Sequence, residues 1–209
     1  MNIFLGIIFS YLLGSIPTAY IFGRVYKGID IRDHGSGNVG ATNTFRVLGK
    51  GPGITVLILD ILKGLIAVWI VGDIFHVASV LGRVLAGIAA VCGHNWTIFL
   101  EFKGGKGIAT SLGVLIGLTI KFPSLIFALL ICILTWAGTL FLWRYISVSS
   151  MAAALILPLA MVVTGQPPEM ILLGAVFCVF VIYRHRSNIT RLMIGTEHKV
   201  PLKWFGRSE

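Results

Sequence analysis

Residues 124–142 read SLIFALLICILTWAGTLFL, an apolar run without a charged residue. A helix needs about 20 such residues to cross the roughly 30 Å hydrocarbon core of a bilayer. Comparable apolar stretches occur elsewhere in the chain, separated by short polar segments, at about 3–23, 54–72, 80–98, 108–120, 151–164 and 169–183. The sequence therefore predicts an all-α polytopic membrane protein with about seven transmembrane helices and a single domain, 1–209.

The composition supports a membrane protein. Hydrophobic residues make up 56% of the chain, above the roughly 45–50% that is typical of soluble domains. The net charge of +9 favours anionic lipid or a phosphorylated substrate as a partner, and the apolar content argues against nucleic acid. The cysteines Cys92, Cys132 and Cys178 lie inside apolar runs and are interpreted as packing residues.

Basic residues predict the orientation in the membrane. Of the 17 Lys and Arg residues, all but Lys63, Arg83 and Lys121 lie at one face in a seven-span arrangement. Positive charge marks the cytoplasmic side, so we expect the N-terminus outside and the C-terminus in the cytoplasm. The first apolar stretch has no basic lead-in and is interpreted as an uncleaved span. Stretches 108–120 and 151–164 are short enough to be re-entrant, which leaves a five-span arrangement as the alternative.

A first glycine-rich segment, HGSGNVGATN, covers residues 34–43 and is followed by Arg46. Its glycines permit tight curvature, and its short polar side chains add hydrogen-bonding groups around exposed N–H groups. Such concave backbone binds anions. An ordinary interfacial turn that caps the next helix would also account for it.

A second segment, EFKGGKGIAT, covers residues 101–110 and follows His94 and Asn95. Its glycines alternate with Lys103 and Lys106 just before an apolar helix. Backbone donors, ammonium groups and a helix N-terminus therefore converge in a pattern typical of anion sites. The plainer interpretation is that the lysines only mark the cytoplasmic boundary.

Two further clusters lie on the same predicted face. The tail after Tyr183 begins RHRSNITRL, where arginines could bind phosphate and His185 could exchange a proton near neutral pH. It could equally be a basic patch attracted to anionic lipid. Serines after Arg144 could hold a polyol or simply begin a helix. Asp60 and Lys63 share a helix face and predict a structural ion pair within the membrane.

These segments resemble the PlsY family of bacterial acyl-phosphate:glycerol-3-phosphate acyltransferases. The resemblance covers nearly the whole chain: residues 35–43, 60–64, 93–107, 145–150 and 184–197. It implies transfer of a fatty acyl group from acyl phosphate to the 1-hydroxyl of glycerol 3-phosphate at the bacterial inner membrane, as the first acylation of phospholipid biosynthesis. It implies no cofactor, no metal, and neither acyl-CoA nor acyl carrier protein as donor.

The resemblance also implies site residues. The donor phosphate and the acyl oxyanion are expected at Ser36, Gly37, Asn38, Gly40, Ala41, Thr42, Asn43, Gly104, Gly105, Lys106 and Gly107. Glycerol 3-phosphate is expected at Arg46, Lys103, Ser149, His185 and Asn188, with Glu197 orienting one of these groups. The proton of the hydroxyl would pass to His185 or to an oxygen of the substrate phosphate, and the second route is favoured. The His-x4-Asp pair of other glycerolipid acyltransferases is absent from the sequence.

Two other functions fit a basic membrane protein. A transporter for organic phosphates needs a basic cavity, but it predicts interrupted helices near the midplane and often internal repeats, and no repeat is evident here. A lipid-binding membrane subunit needs only a basic rim and has no use for two glycine-rich loops.

Overall fold

A computed structural model describes residues 2–201, which form helices and connecting loops without a β-strand. The chain divides into two compact units, Met1–Pro123 and Ser124–Glu209, called here the N-terminal and C-terminal units. The helices of the N-terminal unit are α1 Asn2–Ser15, α2 Thr18–Lys27, α3 Ala41–Leu48, α4 Lys50–Ile66, α5 Gly72–Ile74, α6 Val80–Asn95 and α7 Ile108–Lys121. Those of the C-terminal unit are α8 Ile126–Trp143, α9 Ile146–Val163, α10 Pro168–Arg184 and α11 Arg186–Met193. Three-residue 3₁₀ helices cover Ile31–Asp33, Ile98–Leu100 and Pro123–Leu125.

Helices occupy every predicted apolar stretch. Within residues 2–201, five segments are long and apolar enough to cross a membrane: Ile3–Lys27, Lys50–Ile74, Val80–Leu100, Pro123–Trp143 and Ile146–Val163. The pair α10 and α11, bent by 54°, makes a sixth if it is one span, and α7 is shorter. The all-helical membrane fold is confirmed, whereas the number of crossings and the side of each terminus stay predictions.

The helix that contains the apolar stretch 151–164 is longer than that stretch. Helix α9 begins at Ile146 and has 18 residues, because Ser147, Ser149 and Ser150 form its first turns and are buried. These serines made the apolar run appear too short to span. Helix α7, with 14 residues, remains short.

Glycines bring helix backbones into contact in the N-terminal unit. A Cβ atom at Gly113 would overlap the carbonyl of Ile61, and one at Gly64 would overlap the carbonyl of Thr110, so α4 and α7 touch along their backbones. Small residues allow such close approach in membrane helices, where packing rather than the hydrophobic effect favours association. This contact places the first half of α7 against the last two turns of α4.

Two aspartates, Asp60 buried and Asp73 exposed, pair with the cations that depart from the positive-inside pattern. Lys63 lies 2.8 Å from Asp60, so the predicted ion pair is confirmed. Asp73 pairs with Arg83 and, at 2.6 Å, with Lys121. Arg83 also donates to the carbonyl of Val68 at 2.6 Å, within a π-helical segment, Ala67–Val71, that continues α4.

Candidate active site

Asn43 organises the first glycine-rich loop from inside. Its Oδ1 accepts a hydrogen bond from the backbone N–H of Ser36 at 2.8 Å. Its Nδ2 donates to the carbonyls of Ile31 at 3.2 Å and His34 at 3.0 Å. The side chain is buried, and these three bonds engage both its oxygen and its nitrogen. Asn43 therefore shapes the loop.

The loop turns back on itself and leads into α3. Gly37 has a φ of +68°, in the left-handed region that favours glycine, and its N–H bonds the carbonyl of His34. Ser36 is exposed and Asn38 is half-buried. Because α3 begins at Ala41, the N–H groups of Ala41 and Thr42 lie in a first turn, where a helix supplies no carbonyl partners. The loop thus places polar groups and backbone donors at one spot.

Asp30 anchors the base of this loop. It accepts from the backbone N–H of Arg32 at 3.0 Å and from the Arg32 guanidinium at 2.6 Å, and it lies 3.4 Å from Arg24. The side-chain hydrogen bond from Arg32 lowers the pKa of Asp30 from 3.8 to about 2. The carboxylate is therefore charged at neutral pH and holds the chain just before the loop begins.

The second glycine-rich loop is held by the end of α6. The N–H of Gly104 donates to the carbonyl of Asn95 at 3.2 Å, and that of Gly105 donates to the carbonyl of His94 at 3.0 Å. A Cβ atom at Gly105 would overlap Nε2 of His94 and would lie 2.6 Å from the carbonyl oxygen of Val39. Only glycine leaves room for this contact, through which the two glycine-rich loops adjoin.

The basic residues of the two loops differ in exposure. Lys103 is exposed and pairs with Glu101 at 3.2 Å. Lys106 is half-buried in the loop that precedes α7, and Arg46 is exposed on α3. The N-terminal unit therefore brings together backbone donors, hydroxyls, amides and cations, a combination suited to a phosphate group.

A buried polar cluster lies beneath these loops, and the sequence predicted only part of it. Asp60 accepts a hydrogen bond from Thr18 at 2.7 Å and pairs with Lys63, while Nδ1 of His94 lies 3.7 Å from its carboxylate. Lys63 also donates to the carbonyl of Ile16 at 3.0 Å, where Pro17 separates α1 from α2. A cleft with room for about one water molecule lies beside the cluster. Thr18 and His94 were missed because they are distant from Asp60 in sequence.

Several polar side chains near the start of α7 are buried without a hydrogen-bond partner in the part of the chain that the structure describes. Asn95 is fully buried, and neither its amide oxygen nor its nitrogen is bonded. The hydroxyls of Thr110 and Ser111 share this property. Unsatisfied buried polar groups are rare in proteins, and each calls for an explanation. They concentrate here next to the second loop.

Glu197 is the centre of a polar cluster in the C-terminal unit. One of its oxygens accepts from Ser147 at 2.7 Å and from Asn188 at 2.6 Å, and the other accepts from Arg191 at 2.9 Å. Burial raises the pKa of this carboxyl, but the three hydrogen bonds outweigh that effect and lower the pKa below its ordinary 4.5. A charged Glu197 therefore ties the tail to α9 and α11.

His185 and Ser149 are also buried. In sequence, each lies within three residues of a member of the Glu197 cluster. Nδ1 of His185 lies 2.8 Å from the carbonyl of Val181. Since a carbonyl only accepts, Nδ1 carries a proton, and a neutral ring would present Nε2 as an acceptor. The hydroxyl of Ser149 donates to the carbonyl of Tyr145 at 3.0 Å. Asn188 follows His185 by one helical turn, and its N–H bonds the His185 carbonyl.

No group of three or more His, Cys, Asp or Glu side chains with the geometry of a metal site occurs within residues 2–201. The ionisable residues of the Asp60 cluster and of the Glu197 cluster bond to one another, to polar side chains and to backbone groups. The cations that the sequence contributes to these clusters are lysines and arginines, which can neutralise phosphate directly.

Comparison with known proteins identifies the family. A family model described as glycerol-3-phosphate acyltransferase matches residues 4–195. A glycerol-3-phosphate acyltransferase of Desulforudis audaxviator is 46% identical over 190 residues, covering 91% of each chain. One of Halalkalibacterium halodurans is 44% identical over 201 residues, covering 94% of this chain and 95% of the relative.

Solved structures agree with the sequence matches. The chain is similar to PlsY, described as an integral membrane glycerol 3-phosphate acyltransferase, in its glycerol 3-phosphate form, with a TM-score of 0.87, 38% identity and complete coverage of both chains. The lysophosphatidic acid form of PlsY gives a TM-score of 0.83 at 39% identity, covering 96% of each chain. Helical membrane fold, sequence and glycine-rich loops lead to one conclusion: the chain is an acyltransferase that belongs to the glycerol-3-phosphate acyltransferase family.

Proposed function

We propose that the chain transfers a fatty acyl group from acyl phosphate to the 1-hydroxyl of glycerol 3-phosphate, giving lysophosphatidic acid and inorganic phosphate. The observation that carries this proposal is the contact between the two glycine-rich loops at Val39 and Gly105. It brings the first loop, the start of α3 and Lys106 to one place in the N-terminal unit, whereas the N–H groups of Gly104 and Gly105 are bonded to carbonyls of α6. The similar PlsY structures, described as glycerol 3-phosphate and lysophosphatidic acid forms, support the acceptor and the product.

The reaction needs positioning and charge neutralisation more than a strong base. An acyl phosphate is an activated mixed anhydride. The hydroxyl oxygen forms a bond to the acyl carbon, the bond from that carbon to the phosphate oxygen breaks, and the hydroxyl proton passes to a phosphate oxygen. Holding the hydroxyl against the acyl carbon and stabilising the departing phosphate therefore supply most of the acceleration.

The N-terminal unit would hold the donor phosphate and the acyl oxyanion. Backbone donors come from the first loop and from the start of α3, and Lys106 adds a positive charge. The residues assigned to this role are Ser36, Gly37, Asn38, Gly40, Ala41, Thr42, Gly104, Gly105, Lys106 and Gly107. Asn43 would act indirectly, because its amide is bonded within the loop.

Glycerol 3-phosphate is assigned to the residues that the sequence predicts for it. They are Arg46, Lys103, Ser149, His185 and Asn188. Glu197 would orient Asn188 and, through Arg191, the helix that carries it, because it bonds both side chains. We place the protein in the bacterial cytoplasmic membrane, where it would catalyse the first acylation of phospholipid synthesis.

Phosphate release by purified protein tests this function. We expect release only when acyl phosphate and glycerol 3-phosphate are both present, and no transfer from acyl-CoA or acyl carrier protein. Lys106→Ala should reduce turnover by about 10²-fold or more, in the range of other lost charge-stabilising groups. Lys50→Ala, which removes an exposed lysine at the start of α4, is the matched control and should keep wild-type turnover.

The outcomes separate the alternatives. Transfer from acyl-CoA without transfer from acyl phosphate would overturn the proposed donor. Uptake of organic phosphate into vesicles without phosphate release would replace the enzyme by a transporter. Wild-type turnover in Lys106→Ala would overturn the assignment of the second loop to the donor phosphate.

A further inference from the structure

We propose that Asp60 is a positioning residue: its buried carboxylate fixes the ring of His94 and thereby holds the second glycine-rich loop in place. The inference rests on the proposed function, because it gives Asp60 a task at a loop proposed to bind the donor phosphate. It follows from the environment of Asp60, from the two contacts of His94 with Gly105, and from a contrast with Asp73.

The environment of Asp60 is closed to solvent. Asp60 is 1% exposed, Lys63 5% and His94 7%, so charges in this cluster interact across protein rather than water. A buried ion pair recovers the cost of desolvation only with good geometry and further hydrogen bonds. Here Thr18 and Lys63 both bond to the same oxygen, Oδ1 of Asp60, at 2.7 and 2.8 Å. The carboxylate is therefore fixed from two sides.

His94 lies between this carboxylate and the loop. Nδ1 is 3.7 Å from Oδ1 of Asp60, longer than a direct hydrogen bond and within ion-pair distance. The opposite nitrogen, Nε2, lies where a Cβ atom of Gly105 would be. The two ring nitrogens of a histidine have different tasks, and the partner of one sets the orientation of the other. An aspartate that orients Nδ1 therefore places Nε2 against Gly105.

The backbone of His94 reinforces the contact. Its carbonyl accepts the N–H of Gly105 at 3.0 Å, and the next carbonyl, of Asn95, accepts the N–H of Gly104 at 3.2 Å. Two hydrogen bonds and the contact between the His94 ring and Gly105 thus hold the loop against the last turn of α6. A rotation of the His94 ring would push directly on Gly105, and Lys106 follows in the chain.

Asp73, an exposed aspartate at the end of the segment Lys50–Ile74, shows what an ion-paired aspartate away from the loops does in the same unit. It pairs with Arg83 and Lys121, and Arg83 bonds carbonyls of the π-helical segment. Thirteen residues separate it from Asp60, which corresponds to roughly 20 Å along a helix. Asp73 contacts neither glycine-rich loop through any of these bonds. It is therefore a control for the loss of an ion-paired aspartate outside the loop contact.

The test combines hydrogen exchange with kinetics in Asp60→Asn, His94→Ala, the double variant and Asp73→Asn. In Asp60→Asn, amide exchange across residues 103–107 should rise and kcat/KM for acyl phosphate should fall by about tenfold or more, as for other residues that orient a ligand-binding group. Asp73→Asn should lower the melting temperature while leaving both quantities within about twofold of wild type. The double variant should be no worse than His94→Ala alone, because Asp60 acts through His94.

Each contrary result overturns the inference. It fails if Asp60→Asn changes only the melting temperature, as Asp73→Asn does, or if the losses of the single variants multiply in the double variant. Should Asp60→Asn not fold, Thr18→Val removes one hydrogen bond to the carboxylate without stranding a charge. Unchanged exchange across 103–107 in Thr18→Val would then be decisive against the inference. A wild-type protein that releases no phosphate would refute the proposed function, whereas the exchange measurements would still decide the role of Asp60.

Discussion

The side-chain oxygen of Asn43 accepts a hydrogen bond from the backbone N–H of Ser36, seven residues earlier, at a distance of 2.8 Å. The same amide donates to the carbonyls of Ile31 and His34. One buried side chain thus fixes both ends of the first glycine-rich loop, and the conformation of that loop depends on it.

Replacing Asn43 by Ala should therefore disturb both stability and activity. Three backbone groups would lose their partner, so we expect a loss of about 1–3 kcal/mol in unfolding free energy and at least about a tenfold drop in phosphate release. Thermal unfolding and turnover of purified protein measure the two effects. Thr55→Ala, which removes an exposed helical hydroxyl, should change neither. Full turnover in Asn43→Ala would show that the shape of the loop is not needed.

A methyl group at Gly105 should separate the two loops. In Gly105→Ala the new atom would meet the ring of His94 and the carbonyl of Val39, so we expect a loss of turnover of about 10²-fold. Gly138→Ala is the matched control, because a Cβ atom there has open space. Alanine is the better helix former by about 1 kcal/mol, so this control should be fully active and slightly more stable. Near-normal turnover of Gly105→Ala would argue against a tight contact.

His185 should affect binding of glycerol 3-phosphate more than the chemical step. If a substrate phosphate takes the proton, His185→Ala should raise the KM for glycerol 3-phosphate while kcat at saturation stays within about tenfold of wild type. A general base contributes about 10²–10⁴-fold, so a loss of kcat in that range would make His185 the base. Ser187→Ala, an exposed neighbour on α11, serves as the control for unspecific damage.

Glu197 should make stability depend on pH in the acid range. Its pKa in the folded protein lies below the ordinary 4.5, so the folded state binds its proton less readily than the unfolded state. The stabilisation is therefore complete above about pH 4.5 and is lost as the pH falls through the lower folded value. Wild type should exceed Glu197→Gln in melting temperature at pH 7, and the difference should shrink on acidification. A difference that grows on acidification would contradict the sign of the shift.

The two loops should be accessible from the same side of the membrane. Cysteines placed at His34 and at Lys103, both exposed, should react with an impermeant reagent only from the cytoplasmic side, after Cys92, Cys132 and Cys178 have been replaced. A cysteine at Lys199, in the tail, should label from that side too if the C-terminus is cytoplasmic. Labelling of the two loop positions from opposite sides would refute a shared site.

The helices could be predicted because each membrane span requires a continuous run of apolar residues. Apolar runs gave every long helix, and the i, i+3 spacing gave the pair Asp60–Lys63. The start of α9 was missed because its serines are buried by packing, which hydropathy does not report. The π-helical turn at Ala67–Val71 was likewise missed, because its apolar residues do not differ in composition from those of the α-helix before it.

The site was predictable as a set of motifs but not as an arrangement. Glycine-rich loops with lysines indicate an anion site by chemistry alone, and the structure brings the loops together at Val39 and Gly105. The cluster of Thr18, Asp60 and His94 joins residues on three segments, and no periodicity links positions so far apart. The sequence also suggested that Asn43 contacts the ligand, because an amide in a loop looks the same whether it faces outward or inward.

Helix α7 has 14 residues, so it measures about 21 Å, whereas the hydrocarbon layer is roughly 30 Å thick. Its last residue, Lys121, is bonded to Asp73, and its first follows the second glycine-rich loop. A rod of this length cannot reach both surfaces of an undeformed bilayer, and polar backbone tolerates no contact with lipid tails. If α7 crosses the membrane, one of its ends lies below the surface, and protein or water must satisfy its backbone there. Water at the loop end would let a phosphate ester stay hydrated while an acyl chain beside it stays in hydrocarbon.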